Sequence, residues 1–220
     1  MSMSESETAR DLLRNMPVFP PTLAGFDPEA TPDNPLELFL AWLSQAVDAG
    51  VLAPHAVNLA TIGLDGMPDA RIVILKDVGQ RGFSFASSSA SPKGRQLQDS
   101  PSAALTFFWP AMGRQIRIRG SVSEGQTAEN AQDFRRRNPV ARALVLAGRQ
   151  SEVMMGSGDD GVQEQLARLD ADDEIVSADW TVFTVAAETV EFWQADTNRR
   201  HTRLRYSRAG RRWDKDLLWP

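Results

Sequence analysis

Val57-Asn58-Leu59-Ala60-Thr61-Ile62-Gly63-Leu64-Asp65-Gly66-Met67-Pro68-Asp69-Ala70-Arg71-Ile72-Val73-Ile74-Leu75-Lys76 decides the fold. Two runs rich in β-branched residues, 57–63 and 69–75, flank Asp65-Gly66. An Asp-Gly pair between apolar runs is a strong short-range hairpin signal, because the tight turn needs positive φ. The stretch therefore predicts an antiparallel pair. Downstream, 83–86, 103–109 and 115–124 repeat the strand pattern, and 91–100 reads as one short helix between them. A succession of neighbouring strands of this kind predicts an antiparallel barrel or sandwich.

The flanks complete the outline. Residues 1–33 carry Pro17, Pro20, Pro21, Pro28 and Pro32 as breakers and read as an irregular, flexible arm. Asn34-Pro35-Leu36-Glu37 then opens a helix: Asn34 caps it and Pro35 suits its first position. Leu36, Phe39, Leu40, Leu43 and Val47 form its apolar stripe, and Gly50 ends it. Residues 126–147 are helical in pattern, with a break at Asn138-Pro139. A Gly/Ser/Asp loop over 156–160, a short helix over 163–169 and an acidic connector over 170–174 follow. Strands return at 180–185, 190–194, 204–207 and 212–218, the last two turning at Ala209-Gly210. This predicts one domain over 34–220, mainly β with peripheral helices.

Bulk properties exclude several classes. The chain has 220 residues and 42% hydrophobic content, enough for a sizeable core. A net charge of −5 argues against a general nucleic-acid binder. There is no cysteine, and the two histidines stand at 55 and 201, so neither a disulfide nor a thiolate or histidine-rich metal site is expected. No run of eighteen apolar residues predicts a membrane helix. The polar, acidic first residues lack the pattern of a signal peptide. A soluble, cytoplasmic protein is the expectation.

Five stretches carry candidate chemistry. Arg71 and Lys76 bracket an apolar strand, and their offset of five places them on opposite faces unless a bulge intervenes. Ser87-Ser88-Ser89-Ala90-Ser91-Pro92-Lys93-Gly94-Arg95 feeds hydroxyls and a lysine into a helix N-terminus, a sound arrangement for phosphate. It lacks the Gly-x-x-x-x-Gly-Lys spacing of nucleotide triphosphatases. Arg114-Gln115-Ile116-Arg117-Ile118-Arg119 alternates cleanly, with Gln115, Arg117 and Arg119 on one face. Phe134-Arg135-Arg136-Arg137, Arg142 and Arg149-Gln150-Ser151 form a basic segment. Last, Glu191-Phe192-Trp193-Gln194 precedes Asn198-Arg199-Arg200-His201-Thr202-Arg203-Leu204-Arg205-Tyr206, which sets guanidiniums, an indole and an imidazole within sixteen residues. That composition fits an anionic aromatic ligand. A charged sheet edge is the plain alternative.

In this order and spacing the stretches resemble the pyridoxamine 5′-phosphate oxidase family, FMN-dependent oxidases of split β-barrel fold, over residues 34–220. The resemblance implies an antiparallel, Greek-key type barrel and a homodimer with FMN at the subunit interface. It implies that Arg71, Ser87, Ser91 and Lys93 hold the FMN phosphate and ribityl chain. Ile72, Val73, Ile74, Leu75, Lys76, Gln115, Gln150, Ser151, Trp193 and Arg203 would contact the ring. Lys76, Asp133, Arg137, Arg199 and His201 would meet the substrate, with Arg199 and His201 nearest the chemistry. O2 would reoxidise the flavin. No metal, nucleic acid or membrane partner is implied.

The sequence also departs from the family pattern. The family places a Tyr and a Ser on the substrate phosphate, where this chain has Asp133 and Ala141. A carboxylate repels a phosphate dianion, and an alanine side chain donates nothing. Pro92 stands where an arginine usually reaches the FMN phosphate. The pattern resembles the phenazine-biosynthesis oxidase branch most closely, so a reduced phenazine carboxylic acid is the expected substrate. A vitamin B6 phosphate oxidase is the alternative. From another class, the seven arginines between Arg199 and Arg212 raise a single-stranded nucleic-acid platform.

Overall fold

The computed structural model describes residues 8–153 and 161–220, so the first residues and the loop expected over 156–160 lie outside the described residues. Helix α1 spans Ala9–Asn15 and α2 spans Pro35–Asp48. Strands β1 (Ala56–Ile62), β2 (Pro68–Gly79) and β3 (Gly82–Ser88) lead to α3 (Pro92–Asp99). Strands β4 (Ser102–Trp109) and β5 (Arg114–Glu124) precede three helices, α4 (Thr127–Arg135), α5 (Pro139–Leu146) and α6 (Val162–Ala171). The chain ends in β6 (Trp180–Gln194), β7 (Thr202–Ala209) and β8 (Arg212–Leu218).

All pairings in the sheet are antiparallel, in the order β3-β2-β1-β4-β5-β6-β7-β8. A further pairing of β3 with β6 closes six strands into a barrel. The expected hairpin is β1–β2, with Ala56 opposite Ile74 and Ile62 opposite Pro68. Strand β6 joins two tasks that the sequence reading split into separate strands. Its first half pairs with β3 and closes the barrel, and its second half carries β7 and β8 outward. Residues 186–188, Ala-Ala-Glu, have little strand propensity, and the pairing of Ala186, Ala187 and Thr189 to β5 holds the segment extended. Gly82 and Gly120 flank this crossing. A Cβ at either would lie within 2.0 Å of a β6 carbonyl oxygen, Val185 or Ala186.

Helix α2 packs on the barrel core. Asn34 Oδ1 accepts from Leu36 N–H at 3.0 Å, so the expected cap is present. The buried face is Leu38, Phe39, Trp42 and Ala46. Leu40 and Val47 of the expected stripe are exposed. The aromatic rings decide the rotation: Phe39 packs edge-on against Phe83 and Phe107, and Trp42 against Phe192. Burying two large rings outweighs burying Leu40 and Val47.

The arm before residue 34 is not wholly irregular. Besides α1, Phe19 packs against Phe108 and Trp193, and Phe26 packs against Trp42. The Tyr206 hydroxyl donates to the Pro32 carbonyl at 2.7 Å. Tyr206 and Leu204 are buried, as the period-two reading of β7 requires.

On the outer barrel face one cross-strand row runs Ile72, Asn58, Thr106, Arg117, Glu191, Arg205, Asp216. The row beside it holds Ala70, Ala60, Ala104, Arg119 and Thr189. Ile72, Ile74 and Phe108 stand exposed on this face, Ile72 at 64%. Small side chains leave a shallow groove between β1, β4 and β5.

Candidate functional site

The candidate residues gather into three groups. The first lies at one rim of the barrel, where β3 runs into α3. Ser91 caps α3: its hydroxyl accepts from Gly94 N–H at 3.3 Å and donates to the Ser88 carbonyl at 2.6 Å. Lys93 Nζ donates to Ser87 Oγ at 2.9 Å and to Ser91 Oγ at 3.3 Å. Gly94 is required by the close loop, since a Cβ there would meet the Ser89 carbonyl oxygen at 2.3 Å. Burial, then the charge of Arg71, pushes the Lys93 ammonium below its ordinary pKa.

A network behind Lys93 fixes Arg71. Its guanidinium donates to Thr61 Oγ1 and to Gln96 Oε1, and pairs with Asp69. Gln96 in turn donates to Asp69 Oδ2 at 3.0 Å, and this bond leads the causes holding the Asp69 carboxyl below its usual range. Thr61, Asp69 and Gln96 had no signal in the sequence. They meet only because α3 lies against the mouth of β1–β2.

The second group sits on the outside of β2 and β6. The register slips between Leu75 and Asp77, and Lys76 emerges at that bulge. Lys76 Nζ pairs with Asp133 Oδ1 at 3.2 Å. The other oxygen of Asp133 accepts from the Trp180 indole N–H at 2.8 Å. The Arg137 guanidinium lies over the same indole, 4.0 Å from its centroid, and donates to the Ala141 carbonyl at 3.3 Å. Burial pushes the Arg137 guanidinium below its ordinary pKa, and the nearby Asp133 offsets only part of that effect. Trp180, buried at the first residue of β6, was read in the sequence only as the start of a strand and not as a site residue.

The third group is a cross-strand row: Gln115 on β5, Trp193 on β6 and Arg203 on β7. Cross-strand partners share a face, so all three present toward one ligand surface. Arg203 Nε donates to Glu191 Oε1 at 3.0 Å, and another of its nitrogens donates to the Trp219 carbonyl at 2.9 Å. His201 lies 4.8 Å from the Trp193 ring, centroid to centroid. The loop between them is organised by Asp196. Its carboxylate accepts from the N–H groups of Asn198 and Arg200, and its own N–H donates to His201 Nδ1 at 3.1 Å. That bond occupies the Nδ1 lone pair, so the neutral ring carries its proton on Nε2 and can donate it in a hydrogen bond to a ligand. Arg199 adopts φ 63°, a left-handed conformation uncommon for arginine.

Ile72 and Ile74 lie on the outer face of β2, while Val73 and Leu75 point inward. Gln150 and Ser151 lie in the exposed loop after α5, outside the three groups, with Ser151 at φ 69°. Ala141 N–H donates to the Asn138 cap, and its methyl offers no donor. Among the described residues no His, Asp or Glu cluster could hold a metal ion. No helix among them is long and apolar enough to cross a membrane.

Spacing along β6 separates the groups. Trp180 pairs with Ser88, next to the lysine cradle, while Trp193 lies thirteen residues further on. At the strand rise this is roughly 40 Å of chain.

Comparison with known proteins gives the family. Residues 43–194 match the family model described as "Pyridoxamine 5'-phosphate oxidase". Residues 180–220 match "Pyridoxine 5'-phosphate oxidase C-terminal dimerisation region". A "Pyridoxine/pyridoxamine 5'-phosphate oxidase" of Thermosynechococcus vestitus is 40% identical over 86% of this chain and 90% of its own. Its namesake in Salinibacter ruber is 41% identical over 80% of this chain and 84% of its own. Among solved structures, PhzG from Burkholderia lata 383, in complex with tetrahydrophenazine-1-carboxylic acid, is 28% identical. It superposes with a TM-score of 0.81, covering 90% of this chain and 98% of its own. A Nostoc punctiforme protein described as pyridoxamine 5'-phosphate oxidase-related and FMN binding has a TM-score of 0.69 at 14% identity, a likeness of fold alone. The chain therefore belongs to the pyridoxamine 5′-phosphate oxidase family and is an FMN-dependent oxidoreductase of split-barrel fold.

Proposed function

We propose that this protein is a homodimeric FMN-dependent oxidase whose substrate is a reduced, planar heterocyclic carboxylic acid of the tetrahydrophenazine-1-carboxylic acid type, with O2 as acceptor. The observation that carries the substrate class is Asp133, held between Lys76 and the Trp180 indole. The carboxylate neutralises Lys76 and would repel a phosphate dianion. Arg137 then remains as the cation of this group, matched to a single carboxylate. The PhzG complex with a tetrahydrophenazine carboxylate supports the same class.

The residues of the barrel rim fit the FMN phosphate. Lys93, Ser87, Ser91 and Arg71 converge on one spot, and a phosphate would supply the anion that the half-buried Lys93 lacks. FMN, when bound, accepts a hydride equivalent from the substrate and passes the electrons to O2. The chain supplies the rest. Gln115, Trp193 and Arg203 would line the ring, Arg199 would orient the substrate, and His201 would hold it by donating a hydrogen bond from Nε2–H.

Two copies complete the site in this reading. The cradle and the Trp193 row of one chain lie at opposite ends of β6, too far apart for one flavin. A second copy brings its Trp193 row to the first copy's cradle. The exposed Ile72, Ile74 and Phe108, together with the match of 180–220 to a dimerisation region, support this arrangement.

One alternative has its own support. The relatives at 40% and 41% identity carry the name of the vitamin B6 phosphate oxidase, and Lys76 and Arg137 are both present here. Oxygen uptake separates the two. Faster turnover of tetrahydrophenazine-1-carboxylate than of pyridoxine 5′-phosphate is expected, and the reverse order would replace the proposal with the alternative.

A further inference from the structure

Trp180 touches every charged member of the second group except Lys76, and reaches Lys76 through Asp133. Its N–H holds Asp133 at 2.8 Å, and its ring face carries Arg137 at 4.0 Å. Behind it, Phe134 packs edge-on at 6.1 Å, and Arg142 lies over Phe134. Arg142 also donates to the carbonyls of Asp173 and Ile175, which anchors the segment leading into β6. The Trp180 backbone pairs with Ser88, and Ser89 N–H donates to the Asp179 carbonyl at 2.7 Å, so the indole is tied to the cradle loop as well.

We propose that Trp180 is a specificity-determining positioning residue: it orients Arg137 and Asp133 so that the substrate end of the site offers one net positive charge. The charges are Lys76 and Arg137 against Asp133, two cations and one anion. The Arg137 Nε is buried without a hydrogen-bond partner, and one other nitrogen donates only to the Ala141 carbonyl. The stacked indole is therefore the main restraint on the guanidinium plane. A cation over an indole is favoured by the ring quadrupole. Planar forks lose their advantage for carboxylate when their orientation is lost. An indole serves both partners, whereas phenylalanine keeps the face but has no N–H.

This inference rests on the proposed substrate class, and the experiment separates the two. The FMN-loaded protein is titrated calorimetrically with phenazine-1-carboxylate and with 4-deoxypyridoxine 5′-phosphate, which lacks the reacting alcohol. Trp180→Leu, Trp180→Phe and Asp133→Asn are compared with wild type, and flavin content per chain is measured in each. Wild type is expected to prefer the carboxylate. Asp133→Asn removes the repelling charge and shifts the affinity ratio toward the phosphate by about tenfold. Trp180→Leu weakens the carboxylate about tenfold at unchanged flavin content, and Trp180→Phe recovers most of that loss through its ring face. If wild type prefers the carboxylate and Trp180→Leu leaves the affinities untouched, the role of Trp180 is overturned and the substrate class survives. If wild type prefers the phosphate ester or binds neither ligand, both fall. Should Trp180→Leu fail to fold, Trp180→Met, which fills the space without a ring, takes its place: unchanged carboxylate affinity at unchanged flavin content overturns the proposal.

Discussion

Replacing Lys93 with methionine tests the phosphate cradle with little change in side-chain reach. In the protein Lys93 spans Ser87 and Ser91, each a hydroxyl, and its burial is offset by no carboxylate in direct contact. A charge-assisted hydrogen bond from this ammonium to a phosphate oxygen is worth roughly 1.5–3 kcal/mol, so its loss weakens FMN binding roughly 10- to 150-fold. The fold should tolerate the change, because the substitution removes a partly desolvated charge and Ser91 keeps its bond to the Ser88 carbonyl. Fluorescence quenching of added flavin gives the dissociation constant. Riboflavin, which lacks the phosphate, is the internal control and should bind wild type and variant alike. Equal losses for FMN and riboflavin would refute the reasoning, since Lys93 would then be shaping the barrel rim rather than holding phosphate. No loss for either would refute it also.

Other perturbations give further outcomes. Arg203→Ala removes the bonds to Glu191 and to the Trp219 carbonyl; flavin retained per chain after gel filtration should fall about tenfold, with at most a small change in melting temperature. Ile74→Asp puts a charge on the exposed outer face of β2, and sedimentation should report a shift from dimer to monomer together with loss of flavin. The Lys93 pKa is lowered in the folded protein, so the unfolded chain binds more protons between that lowered value and the ordinary 10.5. Stability of the flavin-free protein should therefore rise with pH across that window in urea titrations, while FMN affinity falls across the same window as the ammonium deprotonates.

The local parts of this molecule were legible from residue order. Asp65-Gly66 placed the first hairpin, Asn34-Pro35 placed the start of α2, and Ser91-Pro92-Lys93 placed the cradle, because each rests on a turn or cap within a few residues. The non-local parts were not. The stripe on α2 was read as including Leu40 and Val47, yet the face that buries Phe39 and Trp42 is the one the barrel accepts. Strand β6 looked like two strands because Ala186, Ala187 and Glu188 are weak strand formers, and pairing with β5 carries the strand through them. The arm read as irregular from its prolines holds α1 and the Phe19 contact to Trp193. Asp133 stood out in the sequence as a carboxylate in the wrong place, but its partner Trp180 is 47 residues away and follows an acidic connector with no pattern of its own. The network of Thr61, Asp69 and Gln96 behind Arg71 was hidden for the same reason.

The central claim is that the flavin of this oxidase is reduced by a planar carboxylic acid and not by a vitamin phosphate. Anaerobic mixing of the FMN-loaded protein with each compound measures that step alone, through bleaching of the flavin absorption band. Tetrahydrophenazine-1-carboxylate is expected to bleach the band in a rapid, saturable phase, and pyridoxine 5′-phosphate to do so far more slowly at equal concentration. Rapid bleaching by pyridoxine 5′-phosphate, with none by the phenazine acid, would contradict the account.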